Sequence, residues 1–403
     1  MLLKKIAAVI VLLVLVIIGG FLIYAHDSYP TSSAVNVLSD LVYAEQHPHS
    51  SLSQETAGFL PYWRLDQIDS VRYDLLSEVN FFSLTVGPDG HLVQVTGNQT
   101  EPGWRWWNTQ QVKDLIPKVQ ISGDAFGLTL AMLNNSDLRS FLGSRSAQQN
   151  LISDTLDQIH SRHLNGITLD FEYSGAPPAV YRRDFTAFAR RFSSTLRQQA
   201  PGATLSVTLP ALAGRDRGLF DLSRLVPLFD RFIGMTYDYY NASSDVAGPN
   251  APMKGFSRHK FVFDVTTAYH DYLRVIPRTK IVMGIPYSGW DWAVRKGTAL
   301  LGDTLPATNP NSYAAILSYG RMRGFGALKP AQCQWDRDAE EPHCEYVDSK
   351  GVQHQVWFEN NRSIAVKYSY ARANAFAGTA IWVLGYDGTY PDLWNILRRT
   401  FQK

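Results

Sequence analysis

The sequence is poor in cysteine, in net charge and in repetition. Cys333 and Cys344 are the only cysteines, so at most one internal disulfide is possible. Acidic and basic side chains nearly cancel, leaving +2, and nothing points to nucleic acid or another polyanion as partner. No segment recurs at a fixed period, which argues against a solenoid or a propeller. No Gly-rich phosphate loop follows the first strand-like run, which weakens a doubly wound nucleotide-binding sheet. His160 and His163 stand three apart, but no carboxylate or cysteine completes a ligand set at suitable spacing. They read as a helix end, with no metal and no cofactor expected.

What is present suits a large globular domain. With 403 residues, 45% of them hydrophobic and 18% charged, the chain can form one large domain or two medium ones. Its 20 Tyr, 20 Phe and 10 Trp offer flat apolar faces that can stack on sugar rings, although such residues also fill cores. Lys4 and Lys5 precede an uncharged run from Ile6 to Ala25. At 1.5 Å per residue this run spans a hydrocarbon core of about 30 Å, and the lysines stay on the cytoplasmic side. Residues 1–25 are therefore read as a single-pass anchor in the cell membrane. Ile23, not a small residue, lies at the minus-three position before Ala25, which favours an uncleaved anchor over secretion after cleavage. Residues 26–55 are polar and serine-rich, a tether, and residues 56–403 form the folded part.

In that part, apolar runs of strand character alternate with amphipathic stretches. Strands are predicted over Ala57 to Leu60, Glu78 to Val86, Gly127 to Leu133, Gly166 to Glu172, Thr204 to Pro210, Arg231 to Tyr237, Lys280 to Pro286 and Thr379 to Gly385. Between them, Ala179 to Gln198 carries Phe185, Phe188 and Phe192 at helical spacing. Eight strands alternating with helices favour an α/β fold, the (β/α)8 TIM barrel, with an open doubly wound sheet as its rival. In such a barrel, chemistry belongs at the C-terminal ends of the strands.

One stretch carries more than packing requires. From Leu164 to Tyr173 the chain reads Leu-Asn-Gly-Ile-Thr-Leu-Asp-Phe-Glu-Tyr. Ile167, Leu169 and Phe171 alternate with Thr168, Asp170 and Glu172, so the three polar side chains share one face of a strand. Asp170 and Glu172 are then separated by roughly 6.6 Å of strand rise. Two carboxylates so placed push one pKa up, and a protonated general acid can persist at neutral pH. A half-exposed strand with a wet polar face is the plainer reading of the same spacing.

The stretch resembles the fourth-strand signature of the family 18 glycoside hydrolases, Asp-Gly-x-Asp-x-Asp-x-Glu. Asn165 replaces its first Asp and Thr168 its second, which removes an inner carboxylate that would share a proton with Asp170. Three further strand ends resemble the same family in order: Ala57 to Trp63, Met235-Thr236-Tyr237-Asp238, and Gly378 to Asp387 with Trp382. Ile276 to Pro286 with Gly289 to Trp292, and Val356 to Ser363, are similar to its spore-cortex N-acetylglucosaminidase branch. Members of that branch also tend to lack the second Asp. They usually carry LysM repeats, which are not found here, so the anchor would place the enzyme near its substrate.

The resemblance implies an enzyme, a retaining glycoside hydrolase acting on β-linked N-acetylglucosamine polymers of peptidoglycan or chitin type through the substrate's own 2-acetamido group. Glu172 would be the acid and base, with Asp170 orienting the acetamido N–H. Tyr237 would donate a hydrogen bond to it, and Asp238, Trp382, Trp63 and Thr168 would contact the sugar. A non-catalytic sugar-binding protein on the same fold is the alternative. Trp104, Trp106 and Trp107 form a stacking platform or pack against a neighbouring loop. Residues 291–358 are too long for a barrel loop and resemble the family's small α+β insertion between strand 7 and the last helix. Cys333 and Cys344 fall inside it. An exported compartment permits a disulfide there, and two reduced, buried thiols are the other reading. A monomer is expected.

Overall fold

The computed structural model describes residues 52–216, 218–255, 264–326 and 333–402. The predicted anchor, and the predicted tether up to residue 51, lie outside the described residues. Among the described residues no helix is long and apolar enough to cross a membrane. The end of the predicted tether belongs to the barrel. The N–H and hydroxyl of Ser53 donate to the Phe401 carbonyl at 2.7 and 2.9 Å, and the first strand begins at Glu55. Polar side chains at Ser53 and Gln54 conceal a backbone that is already paired.

Eight parallel strands close a barrel: β1 Glu55–Pro61, β2 Glu78–Thr85, β3 Ala125–Met132, β4 Gly166–Phe171, β5 Thr204–Pro210, β6 Arg231–Met235, β7 Ile281–Pro286 and β8 Gly378–Trp382. β8 pairs back onto β1, so no edge remains. The alternation along β4 separates two jobs. Phe171 points outward, its ring parallel to Phe188 at 5.9 Å and edge-on to Phe141 at 5.6 Å. Phe188 lies with Phe185 and Phe192 on the buried stripe of helix Ala179–Gln199, the spacing of three and four that its sequence carries. Each such ring buried contributes roughly 1.5–3 kcal/mol. Thr168 and Asp170, on the other face, enter the barrel interior.

The barrel floor is ionic. Glu55, Glu78 and Arg231 are the first residues of β1, β2 and β6. The Arg231 guanidinium reaches Glu55 at 2.5 Å and the buried Glu78 at 3.0 Å. This floor explains Gly166 better than a turn does. A Cβ there would press on the Glu78 carboxylate and the Thr204 hydroxyl, and one at Gly127 would press on Glu78 and the Asn80 amide oxygen. Asn165 sits at the same end, where its side-chain oxygen accepts the Phe126 N–H at 3.0 Å and a Gln120 side-chain N–H at 2.8 Å. Its departure from the family signature therefore lies at the end of β4 away from the chemistry.

Between β7 and β8 stands an antiparallel five-stranded sheet in the order Ala314–Ser318, Ser288–Val294, Gln353–Trp357, Glu341–Val347, Cys333–Asp336, with helix Tyr319–Gly324. It starts at Ser288, ahead of the predicted boundary at 291, because Ser288–Val294 is already paired with two other strands. Cys333 and Cys344 face each other across its last two strands and form a disulfide, with Cα atoms 4.1 Å apart.

Candidate active site

At the C-terminal face of the barrel a cavity of about 600 Å³ is lined by residues from the ends of several strands. β4 supplies Asp170 and, one residue past its end, Glu172; β5 supplies Thr208; the turn after β6 supplies Tyr237 and Asp238; β8 supplies Trp382. A second cavity, of about 550 Å³, opens between the loop Tyr173–Pro177 and the segment around Leu212, Asp216 and Phe220. Glu172 lines both cavities.

The electrostatics of the carboxylates differ. Asp170 is buried, at 2% exposure, and accepts the Thr208 hydroxyl at 2.6 Å. Burial pushes its pKa up to about 6, and the Thr208 hydrogen bond pulls against that rise by stabilising the anion. Glu172 is open to the cavity, yet crowding by its walls, then the charges of Asp170 and Asp238, push it up to about 7. The two interact, so their protons leave in steps that belong to the pair. The favoured state near neutrality has one proton, on Glu172, and the charge on Asp170. Burial and the adjacent Asp238, Asp170 and Glu172 raise the Tyr237 phenol well above its ordinary value, so it stays a hydrogen-bond donor. Asp238 is raised by burial, against a hydrogen bond of 2.8 Å that the Trp290 indole N–H donates to Oδ1. Trp382 lies nearly parallel to Tyr237, 6.3 Å between centroids at 7°, and is wedged edge-on by Phe82 at 4.7 Å and Phe59 at 6.0 Å. The arrangement offers a proton donor, a neighbouring anion, a neutral phenol and an aromatic floor on one wall.

The family model of glycosyl hydrolases family 18 matches residues 105–387, which include β3 to β8 and these side chains. The chain belongs to that family. It is a family 18 glycosidase, similar to chitinases and to cortex-lytic enzymes. One relative is the cortical fragment-lytic enzyme of Bacillus anthracis, 27% identical over 331 residues, covering 81% of this chain and 68% of the relative. The crystal structure of the Bacillus cereus spore cortex-lytic enzyme SleL superposes with a TM-score of 0.66 at 22% identity, covering 87% of this chain and 75% of SleL. The Ostrinia furnacalis group IV chitinase superposes with a TM-score of 0.73 at 18% identity, covering 87% and 100%.

Not every residue singled out by sequence reaches the glycosidase cavity. Asp170, Glu172, Tyr237, Asp238 and Trp382 line it; Trp63 and Thr168 do not. Trp63 is 44% exposed and stands edge-on to Phe82 at 6.0 Å, outside the lining. Thr168 lies one layer down the barrel, 1% exposed, where its hydroxyl donates to the Asn80 side-chain oxygen at 3.4 Å. Trp107 is fully buried, donates to Gln158 at 2.8 Å and carries the Arg162 guanidinium over its ring, while Trp104 and Trp106 pack half-buried against the core. Packing therefore accounts for Trp107. His160 makes a hydrogen bond of 3.1 Å with the Gln199 carbonyl, and His163 caps its helix in the left-handed region. Thr208 was missed, although the inward alternation Thr204, Ser206, Thr208 along β5 could have pointed to it. Trp290 lies in the stretch Gly289 to Trp292 that resembles the spore-cortex branch, but nothing in the sequence points to Asp238, 52 residues away, as its partner.

Proposed function

We propose that this glycosidase cleaves β-linked N-acetylglucosamine-containing glycans with retention, using the substrate's 2-acetamido group as nucleophile. One observation carries the reading: Glu172 lines two cavities, so a glycan laid across both would bring a glycosidic oxygen to its carboxyl. The N-acetylated sugar rests over Trp382 in the first cavity and the leaving part of the chain occupies the second. Glu172 gives its proton to the glycosidic oxygen as the C1–O bond breaks, and the acetamido carbonyl oxygen forms the new bond to C1. Asp170 accepts the acetamido N–H and offsets the charge on the oxazolinium, while the Tyr237 phenol donates to the acetamido oxygen. Water then loses a proton to Glu172 and attacks C1 from the face the leaving group vacated, opposite the acetamido oxygen, so the oxazolinium ring opens with net retention. Asp238 holds the sugar in register.

The test incubates the full chain with chitin oligosaccharides and with peptidoglycan glycan strands, next to Glu172→Gln, and follows products by mass. New N-acetylglucosamine reducing ends from either glycan are expected. The variant should lose at least about 10³-fold in rate while it still binds. Binding without cleavage by the unaltered chain would favour the sugar-binding alternative.

The uncharged run from Ile6 to Ala25 supports a location on the outer face of the cell membrane, and the Cys333–Cys344 disulfide fits an oxidising compartment. Recovery of the uncleaved chain in the membrane fraction is expected; a processed chain in the medium would mean secretion instead.

A further inference from the structure

Asp238 needs help to hold its shape. Its backbone sits at φ 55°, in the left-handed region that L side chains rarely adopt. Three hydrogen bonds fix it there. Its N–H donates to the Asn250 side-chain oxygen at 3.1 Å, its carbonyl accepts from the Asn241 side chain at 3.4 Å, and Oδ1 accepts from Trp290 at 2.8 Å.

Asn250 is in turn fully buried and held from the insertion. Its own N–H donates to Glu341 Oε2 at 2.9 Å, the next N–H, of Ala251, donates to Glu341 Oε1 at 2.6 Å, and its side chain donates to the Ser288 carbonyl at 3.1 Å. Glu341 opens the insertion strand Glu341–Val347. Behind it, Lys367 from helix Asn361–Ala373 approaches Glu341 at 3.3 Å and Glu359 at 2.7 Å, and all three side chains have no exposure.

Such a trio is expensive, because ions taken from water recover their desolvation only through mutual pairing and well-placed donors. Burial, with Glu359 beside it, drives Glu341 above its ordinary range. Apolar side chains would fill the same space without that cost, but they would strand the N–H groups of Asn250 and Ala251.

We propose that Asn250 and Glu341, the latter seated on Lys367 and Glu359, are positioning residues that lock Asp238 for sugar binding. The insertion thereby sets the geometry of the sugar-binding carboxylate. This rests on the reading of Asp238 given above.

The test is a double-mutant cycle in the full chain. kcat/KM is measured for the unaltered protein, Asp238→Ala, Asn250→Ala and the double variant, on tetra-N-acetylchitotetraose or peptidoglycan strands, whichever is cleaved. Affinity for the same oligosaccharide in a Glu172→Gln background gives a readout without turnover. Expected losses are roughly 100-fold for Asp238→Ala and about 10-fold for Asn250→Ala, with the double variant within about twofold of Asp238→Ala alone. A purely structural role would give losses that multiply, and that result overturns the proposal, as does an Asn250→Ala variant with no loss. If Asp238→Ala itself changes neither turnover nor affinity, the reading of Asp238 fails instead. Should Asn250→Ala not fold, Glu341→Met replaces it in the cycle. Glu341→Gln, which keeps one acceptor, should recover part of the loss.

Discussion

At the position of Thr208 a single hydroxyl tunes the carboxylate that stays charged. Its hydrogen bond to Asp170 stabilises the anion, opposing the burial that brings the pKa to about 6. Thr208→Val removes the donor and leaves the burial, so the pKa of Asp170 rises. If the reaction needs Asp170 ionised and Glu172 protonated, the acidic limb of kcat/KM should move up by about one pH unit, since hydrogen bonds to charged groups are worth roughly 1.5–3 kcal/mol. The alkaline limb follows Glu172, near 7, so the window narrows and the maximum falls. A pH–rate profile checks this, and an acidic limb that stays in place would rule out the role given to Asp170. Thr168, the departure from the family signature, tells the same story from below. It removes a carboxylate from the layer beneath Asp170 and leaves burial and Thr208 as the causes that set Asp170's titration.

The strands have two ends with different duties. The side chains proposed for catalysis gather where β4, β5, β6 and β8 finish, while the starts of β1, β2 and β6 are joined by Arg231, Glu55 and Glu78. Glu78 is buried, and burial raises its pKa even though Arg231 pulls it down. Arg231→Met should therefore cost about 3–5 kcal/mol in unfolding experiments, the usual penalty of stranding a buried charge. The folded fraction should keep its kcat/KM, because the floor lies at the opposite face from the cavity. Adding Glu78→Gln to Arg231→Met should recover much of the stability. A large loss of kcat/KM with little loss of stability would contradict this division of the barrel. Gly166 and Gly127 belong to the same device, since their missing side chains leave Glu78 its space.

For the molecule as a whole, the cavity lowers stability in exchange for reactivity. Asp170 is pushed from its ordinary 3.8 to about 6, so the folded state holds that proton more tightly than the unfolded chain does. Its contribution to stability is complete below about pH 4 and is lost as the pH rises through about 6, on the order of a few kcal/mol. Asp170→Asn should flatten that fall and raise Tm at pH 7 by a few degrees while activity is lost; thermal melts from pH 4 to pH 8 decide it. The eight strands and the stripe of Phe185, Phe188 and Phe192 were legible in the chain, because periods of 2 and 3.6 are local consequences of backbone geometry. The pairing of Asp170 with Glu172 was legible for the same reason, the alternation of β4 carrying on to Glu172 one residue past its end. Closure of the barrel brought Tyr237, Asp238 and Trp382 to that face. Only the tertiary structure decided that Trp63 stays outside the cavity, that Thr208 bonds Asp170, and that Trp290, Asn250 and Glu341 stand behind Asp238. Those hydrogen bonds join residues 12 to 91 positions apart, and no local pattern encodes a distance that depends on how the insertion packs on the barrel.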